Sequence, residues 1–178
     1  MIADNMVLQR NKAMKISGFG VDGTVVTAKL LDKTASATVA GGKWTVNFPP
    51  MPITKSTTLT FSASDGTEKV FNNIAIGEVI LCSGQSNMTV GMGNSYSDYR
   101  DKDYADIRMF VTPNNNFTSS TVNDDIARGQ WKIGTRGNAK EFSMVGWLSG
   151  HQLYHNTNGD FPIGLVWAAE SGTAIQYW

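Results

Sequence analysis

Ser83-Gly84-Gln85-Ser86-Asn87 is the densest concentration of possible chemistry in this chain of 178 residues. It follows a short apolar run, Val79-Ile-Leu-Cys82. The pattern is that of a buried strand ending abruptly in a tight turn with a hydroxyl residue at its tip. Gly84 can take a backbone conformation that other residues resist. Ser86 then stands where the C-terminal end of a strand opens into a loop or helix, the place at which α/β sheets bind ligands. A serine on such a turn, close to free backbone N–H groups, has the layout of a nucleophile. The competing reading is a Gly-Ser turn closing an ordinary strand, and spacing alone does not separate the two.

Ester hydrolysis by serine needs a base, a group that orients it, and N–H donors for the oxyanion. The backbone N–H of Ser86 is one natural oxyanion donor. Gly172 is the candidate for the second, because Glu170-Ser-Gly-Thr173 follows the apolar run Phe161–Ala169 and so faces the same crevice. A plain strand-to-helix turn is an equal alternative for Gly172. The Gln85 side chain is read either as a substrate or oxyanion contact or as a turn stabiliser. The base is the gap. The chain has two histidines, His151 and His155, four residues apart and therefore on one helix face. Gln152-Leu-Tyr154 stands between them, so the H-E-x-x-H metal pattern is absent. The pair is expected to be solvated near a helix C-terminus, where imidazolium is favoured, with no metal and no cofactor. The lone Cys82 cannot form an internal disulfide and is read as a small core residue rather than a nucleophile.

The elements that must position these groups fall into two stretches. Residues 1–74 read as a β-sandwich. Val25–Leu31, Ala35–Val39, Trp44–Phe48 and Thr57–Ala63 are short runs with β-branched or alternating character. Gly41-Gly42 predicts a hairpin, Asp65-Gly66 a turn, and Pro49-Pro50 with Pro52 a break. Residues 75–178 read differently. Ile74–Cys82 and Ile107–Val111 are strands, 114–140 is a polar surface excursion in which Trp131 docks on the core, and Phe142–His155 is a helix. The predicted helix face comprises Phe142, Val145, Trp147, Leu148, Gln152 and Leu153. Gly159-Asp160 stops that helix, and Phe161–Ala169 is a strand covered on both faces. This order is the beginning of a doubly wound α/β domain.

Composition narrows the function class. The 15 basic and 15 acidic residues balance, and no basic patch stands out, so nucleic acid is not an expected partner. No apolar stretch approaches the roughly 20 residues of a membrane helix, so no membrane partner is expected. Met1-Ile-Ala-Asp-Asn5 has neither a charged leader nor an apolar h-region. The expectation is a secreted or periplasmic protein whose signal has been removed, with a cytoplasmic protein as the alternative.

Gly77-Glu-Val-Ile-Leu-Cys-Ser-Gly-Gln-Ser-Asn-Met88 closely resembles the nucleophile block of the sialate O-acetylesterase family of SGNH-type serine hydrolases. Asp4–Arg10, Gly42–Met51, Asp106–Phe110, Phe142–Gly146, Pro162–Leu165 and Ser171–Trp178 resemble further family segments, in the family's order. The family usually has Gly-Gly-Thr where this chain has Ser171-Gly172-Thr173. The resemblance implies an N-terminal β-sandwich followed by the first part of an SGNH-type doubly wound α/β hydrolase domain. It also implies Ser86 as nucleophile and an acetylated carbohydrate substrate, sialic acid or a xylan-type sugar. In that family the base lies in an Asp-x-x-His motif near the C-terminus of the hydrolase domain, and these 178 residues contain no such motif. The base is accordingly expected from a complementary C-terminal fragment or a second chain. The alternative is a carbohydrate-binding or inactive fragment, with Trp44 as a stacking platform.

Overall fold

The computed structural model describes residues 2–95, 97–112 and 129–174. Among the described residues, ten strands and three α-helices form a mixed α/β structure that is mostly strand. The first six strands are β1 (Val7–Gln9), β2 (Met14–Phe19), β3 (Val25–Leu30), β4 (Lys33–Thr38), β5 (Lys43–Phe48) and β6 (Thr54–Ala63). Alternation sets their faces: Val26, Ala28 and Leu30 of β3 point into the core, while Thr27 and Lys29 do not. β3 pairs antiparallel with β4 and β6, and β2 pairs antiparallel with β5.

Gly41 and Gly42, at φ +60° and +75°, do form a tight turn bridged between Ala40 and Lys43. The strands on either side do not form the predicted hairpin. β5 leaves to pair with β2 in a separate two-stranded sheet. The reason is burial: Val46 and Phe48 of β5, with Met14 and Ile16 of β2, close over Val26, Leu30, Leu59 and Phe61 in one core. β1 and β2 have no counterpart among the predicted strands.

β7 (Glu68–Gly84) is 17 residues long and ties the two stretches together. Its first part pairs antiparallel with β6 and parallel with β1. From Glu78 onward it pairs in parallel with β10 (Ile163–Ala169). Asn72 and Asn73 lie inside this continuous strand, with Asn73 at φ +54°. The change of partner occurs at Gly77, where a Cβ would run into the Pro162 carbonyl. That carbonyl instead accepts the Glu78 N–H at 2.9 Å.

β10 lies between β7 and β8 (Tyr104–Val111), parallel to both, and β9 (Trp131–Gly134) is the antiparallel edge beyond β8. Trp131 packs against Phe110 in the core as expected. Of the polar stretch 114–140, residues 114–128 lie outside the described residues. The remainder is no surface excursion, since it supplies β9 and helix α2 (Arg136–Lys140). β10 is covered on both faces: Ile163 and Leu165 meet Ile107 and Met109 on one side, while Val166 joins the N-terminal core on the other.

Helix α3 (Met144–Asn156) covers the first of these faces. Ser143 caps it, accepting the Gly146 N–H at 3.2 Å. Gly159, at φ +68°, ends it by donating its N–H to the Tyr154 carbonyl at 2.8 Å. The predicted apolar face needs correction. Phe142, Trp147, Leu148 and Leu153 pack on the core as expected, but Val145 and Gln152 point outward, and Gly146, Gly150 and His151 are buried beside them. The two glycines let the helix ride close on the sheet: a Cβ at Gly150 would lie 2.8 Å from Leu165, and one at Gly146 2.9 Å from the Cys82 sulfur. Large residues at those positions would have marked the face by pattern, and the close approach forbids them.

Arg108 stitches the halves together. It is 2% exposed, with no carboxylate bonded to its guanidinium among the described residues. Its Nη1 reaches the carbonyls of Asn73, Asn5 and Met6, the latter two at 3.4 and 3.5 Å. Its Nη2 donates to the Lys55 carbonyl at 2.8 Å and to Asn73 Oδ1 at 3.0 Å. Removing the guanidinium strands buried carbonyls from three separate segments. Arg108→Leu should therefore lose about 3 kcal/mol of stability in urea unfolding. A loss below about 1 kcal/mol would mean that these carbonyls find other partners.

Candidate functional site

The pairing of β7 with β10 places Gly84 opposite Ala169. Both strands end at this level, and the two segments that leave them meet. Gly84, at φ +141°, turns the chain out of β7, and its carbonyl accepts the Glu170 N–H at 3.1 Å. Helix α1 (Ser86–Thr89) begins at once, held by the Thr89 hydroxyl on the Ser86 carbonyl at 2.8 Å. On the other side, Gly172 at φ +75° forms the turn after β10, and Thr173 closes it on the Glu170 carbonyl at 2.8 Å. The Ser171 hydroxyl stands 3.5 Å from the Ser86 hydroxyl.

The structure thus brings Ser86, Gln85 and the Ser171-Gly172 turn together at the C-terminal end of a parallel strand pair. Ser86 is half-buried, and Gln85 and Gly172 are exposed. The Ser86 hydroxyl donates to Gln85 Oε1 at 2.6 Å. An amide oxygen accepts that proton but is far too weak a base to remove it. Ser171 is the neighbour that sequence reasoning did not place in the site. Its contact is made across 85 residues of chain and has no local signature.

The histidines are elsewhere; His155 is exposed as expected, but His151 is not. His151 is 8% exposed. Its Nε2 lies 2.9 Å from the Tyr104 hydroxyl, His155 Nε2 lies 3.1 Å from the same oxygen, and the two imidazole nitrogens are 3.2 Å apart. Tyr104 donates its own proton to Asp101 Oδ1 at 2.7 Å. Tyr104 opens β8 below Ile107, which pairs with the first residue of β10. The cluster therefore sits at the N-terminal end of the parallel strands, while Ser86 sits at the other. From Glu78 to Gly84 the strand rises about 20 Å, so neither histidine reaches Ser86. Sequence reasoning missed Tyr104 and Asp101 because only the tertiary fold brings them under α3.

Cys82 is in the core as expected, 3% exposed against α3. Burial pushes its thiol up to about 11, which keeps it protonated and inert at neutral pH. Among the described residues no group of three or more His, Cys, Asp or Glu side chains is arranged to hold a metal ion. No helix among them is long and apolar enough to cross a membrane.

No protein-family model matches the chain. Over 99% of its length it is 30% identical to the sialate O-acetylesterases of Homo sapiens and Mus musculus, of which it covers 37% and 36%. Its structure is similar to that of a carbohydrate acetylesterase from Xanthomonas citri, with a TM-score of 0.90 and 28% identity. That match covers 99% of this chain and 40% of the other. The resemblance to sialate O-acetylesterases therefore runs the whole length of the chain, which spans about 37% of the length of the curated relatives it matches.

The buried histidine has a consequence for stability. Burial, and then the neighbouring His155, hold the His151 pKa below its ordinary value of 6.5. The unfolded chain takes up this proton first as pH falls. The stability that neutral His151 supplies is therefore present above about pH 6.5 and is lost on acidification below it. The melting temperature should fall between pH 7 and pH 5, and His151→Gln should flatten that dependence. Equal slopes for both proteins would show that His151 is not protonated differently on unfolding.

Proposed function

We propose that this chain is the nucleophile-bearing part of a serine esterase that removes O-acetyl groups from carbohydrates. Ser86 attacks the acetyl carbonyl, and the backbone N–H groups of Ser86 and Gly172 hold the oxyanion. Gln85 contacts the substrate or the oxyanion. The observation that carries this reading is the meeting of the Ser86 and Ser171-Gly172 turns at the end of one parallel strand pair, their hydroxyls 3.5 Å apart. The names of the relatives supply the acetyl ester and the sugar.

The base comes from polypeptide outside these 178 residues, in an Asp-x-x-His arrangement, either in the same chain or in a second one. One observation supports this: both histidines of the chain lie at the other end of the sheet. The fold assignment proposed with it is a β-sandwich over residues 1–74, then the first part of an SGNH-type doubly wound domain.

In the reaction, the external imidazole takes the Ser86 proton from its bond with Gln85 as Oγ bonds to the acetyl carbon. It returns that proton to the departing sugar oxygen, which leaves as a hydroxyl. Water then repeats the sequence on the acetyl-serine, releasing acetate and restoring Ser86.

A second reading rests on a groove of about 410 Å³ in the N-terminal half, lined by Phe19, Trp44, Phe61 and Phe71. Phe19 is 57% exposed, and its carbonyl accepts the Trp44 indole N–H at 3.1 Å. Such an aromatic surface would retain a sugar without any hydrolysis. Phe19→Ala should then lose retention on acetylated polysaccharide, while Ser86→Ala keeps it.

Hydrolysis of p-nitrophenyl acetate separates the readings. The chain alone should show only the residual roughly 10³–10⁴-fold over water that oxyanion donors provide. Addition of the base-bearing segment should restore turnover, and Ser86→Ala should then reduce kcat on the order of 10⁶-fold. Replacing both histidines by Gln should leave kcat within about tenfold, far from the roughly 10⁴-fold or larger cost of losing a triad base. Full activity from the short chain alone would refute the missing base, and activity surviving Ser86→Ala would refute the nucleophile.

A further inference from the structure

The cluster beneath α3 is not used by the esterase reading, and it holds two imidazole nitrogens and a phenol oxygen in mutual contact. Three atoms form a triangle: His151 Nε2, His155 Nε2 and the Tyr104 oxygen, with edges of 2.9, 3.1 and 3.2 Å. The Tyr104 proton is committed to Asp101, 2.7 Å away, and a carboxylate has no proton to give back. The Tyr104 oxygen can therefore only accept. Both imidazoles must carry a proton on Nε2 to bond to it, but then two N–H groups confront each other across 3.2 Å. If either nitrogen is bare, its edge to Tyr104 becomes lone pair against lone pair. For neutral rings, the arrangement that gives every atom a partner puts both N–H groups on the Tyr104 oxygen and leaves that N–H to N–H contact in place.

A cation held between the two nitrogens would replace that contact. Two ligand nitrogens at about 2.0–2.1 Å from a tetrahedral ion stand about 3.3 Å apart, and the observed separation is 3.2 Å. The spacing of four residues puts both imidazoles on one side of α3. His155 is exposed, which gives an ion a path from solvent. Asp101 stands one hydrogen bond behind Tyr104, as outer-shell carboxylates stand behind ligands. Lys102, whose ammonium lies 5.3 Å from the Tyr104 ring centroid, partly offsets that negative charge. Imidazole nitrogens select borderline ions of the Zn²⁺, Ni²⁺ and Cu²⁺ kind over Mg²⁺ or Ca²⁺.

We propose that His151 and His155 bind a divalent transition-metal ion of the Zn²⁺ class at the N-terminal end of the parallel strands, with the Tyr104 hydroxyl and solvent completing its coordination. The ion would clamp the end of α3 to the start of β8, away from Ser86. This site is independent of the esterase reading.

The test uses the purified chain, stripped with EDTA and titrated with Zn²⁺ alone. Bound Zn²⁺ should raise the melting temperature, because an ion that binds only the folded state stabilises it. It should also shift the Nε2 resonances of both histidines in ¹⁵N NMR. His155→Gln changes an exposed residue and should abolish the thermal shift. Should that variant fail to fold, the NMR titration of the unaltered chain decides the matter. No thermal rise in the unaltered chain, an equal rise in a folded His155→Gln, or unshifted Nε2 resonances would overturn the site.

Discussion

The parallel register of β7 on β10 is the constraint on which the rest of this structure depends. It sets Gly84 beside Ala169. It therefore decides that the turn carrying Ser86 and the turn carrying Gly172 leave the sheet at one level. Parallel neighbours cannot be joined by a tight turn. Everything between Gln85 and Pro162 is in this sense crossover, including β8, β9 and α3. The register is enforced from the lower end by Gly77, whose missing side chain admits the Pro162 carbonyl, and along the strands by apolar residues on both faces of β10.

Two devices keep that sheet in place. Gly146 and Gly150 let α3 approach until it touches Cys82 and Leu165, so the helix covers the sheet without a gap. Arg108 joins β8 to the carbonyls of Asn5, Lys55 and Asn73 on the N-terminal side. A buried guanidinium held by carbonyls is costly to desolvate, and burial pulls its pKa below the ordinary value. Its compensation is geometric, because its forked donors satisfy acceptors from three segments at once. The turns carrying Ser86 and Gly172 then lie at the end of a paired strand rather than on an isolated loop, the placement that the proposed nucleophile and oxyanion donors need.

Much of this was legible in the sequence because the relevant signals are local. The apolar run before Ser83-Gly84-Gln85-Ser86, the run from Phe161 to Ala169 and the Gly159 stop each declare a strand or a turn within a few residues. What was hidden depends on partners distant in sequence. Gly41-Gly42 announces a reversal but not that β5 will pair with β2, which burial of Val46 and Phe48 decides. The helix face was legible at Trp147, Leu148 and Leu153, but its closest approach falls on Gly146, Gly150 and His151, which no hydrophobic pattern marks. The solvated reading of His151 failed for the same reason, since Tyr104 and Asp101 arrive beneath α3 only through the tertiary fold. Ser171 illustrates the opposite case: its departure from the usual family glycine was visible, but its contact with Ser86 was not.

The central claim is that Ser86 and Gly172 act on the same substrate atoms. A crystal structure of the protein, together with the proposed base-bearing segment, after reaction with an alkyl phosphonate would test it. Phosphorus should be bonded to Ser86 Oγ, with the phosphoryl oxygen within hydrogen-bond distance of the backbone N–H groups of both Ser86 and Gly172. Phosphorus on Ser171 or Ser83, or a phosphoryl oxygen turned away from the Gly172 turn, would contradict it.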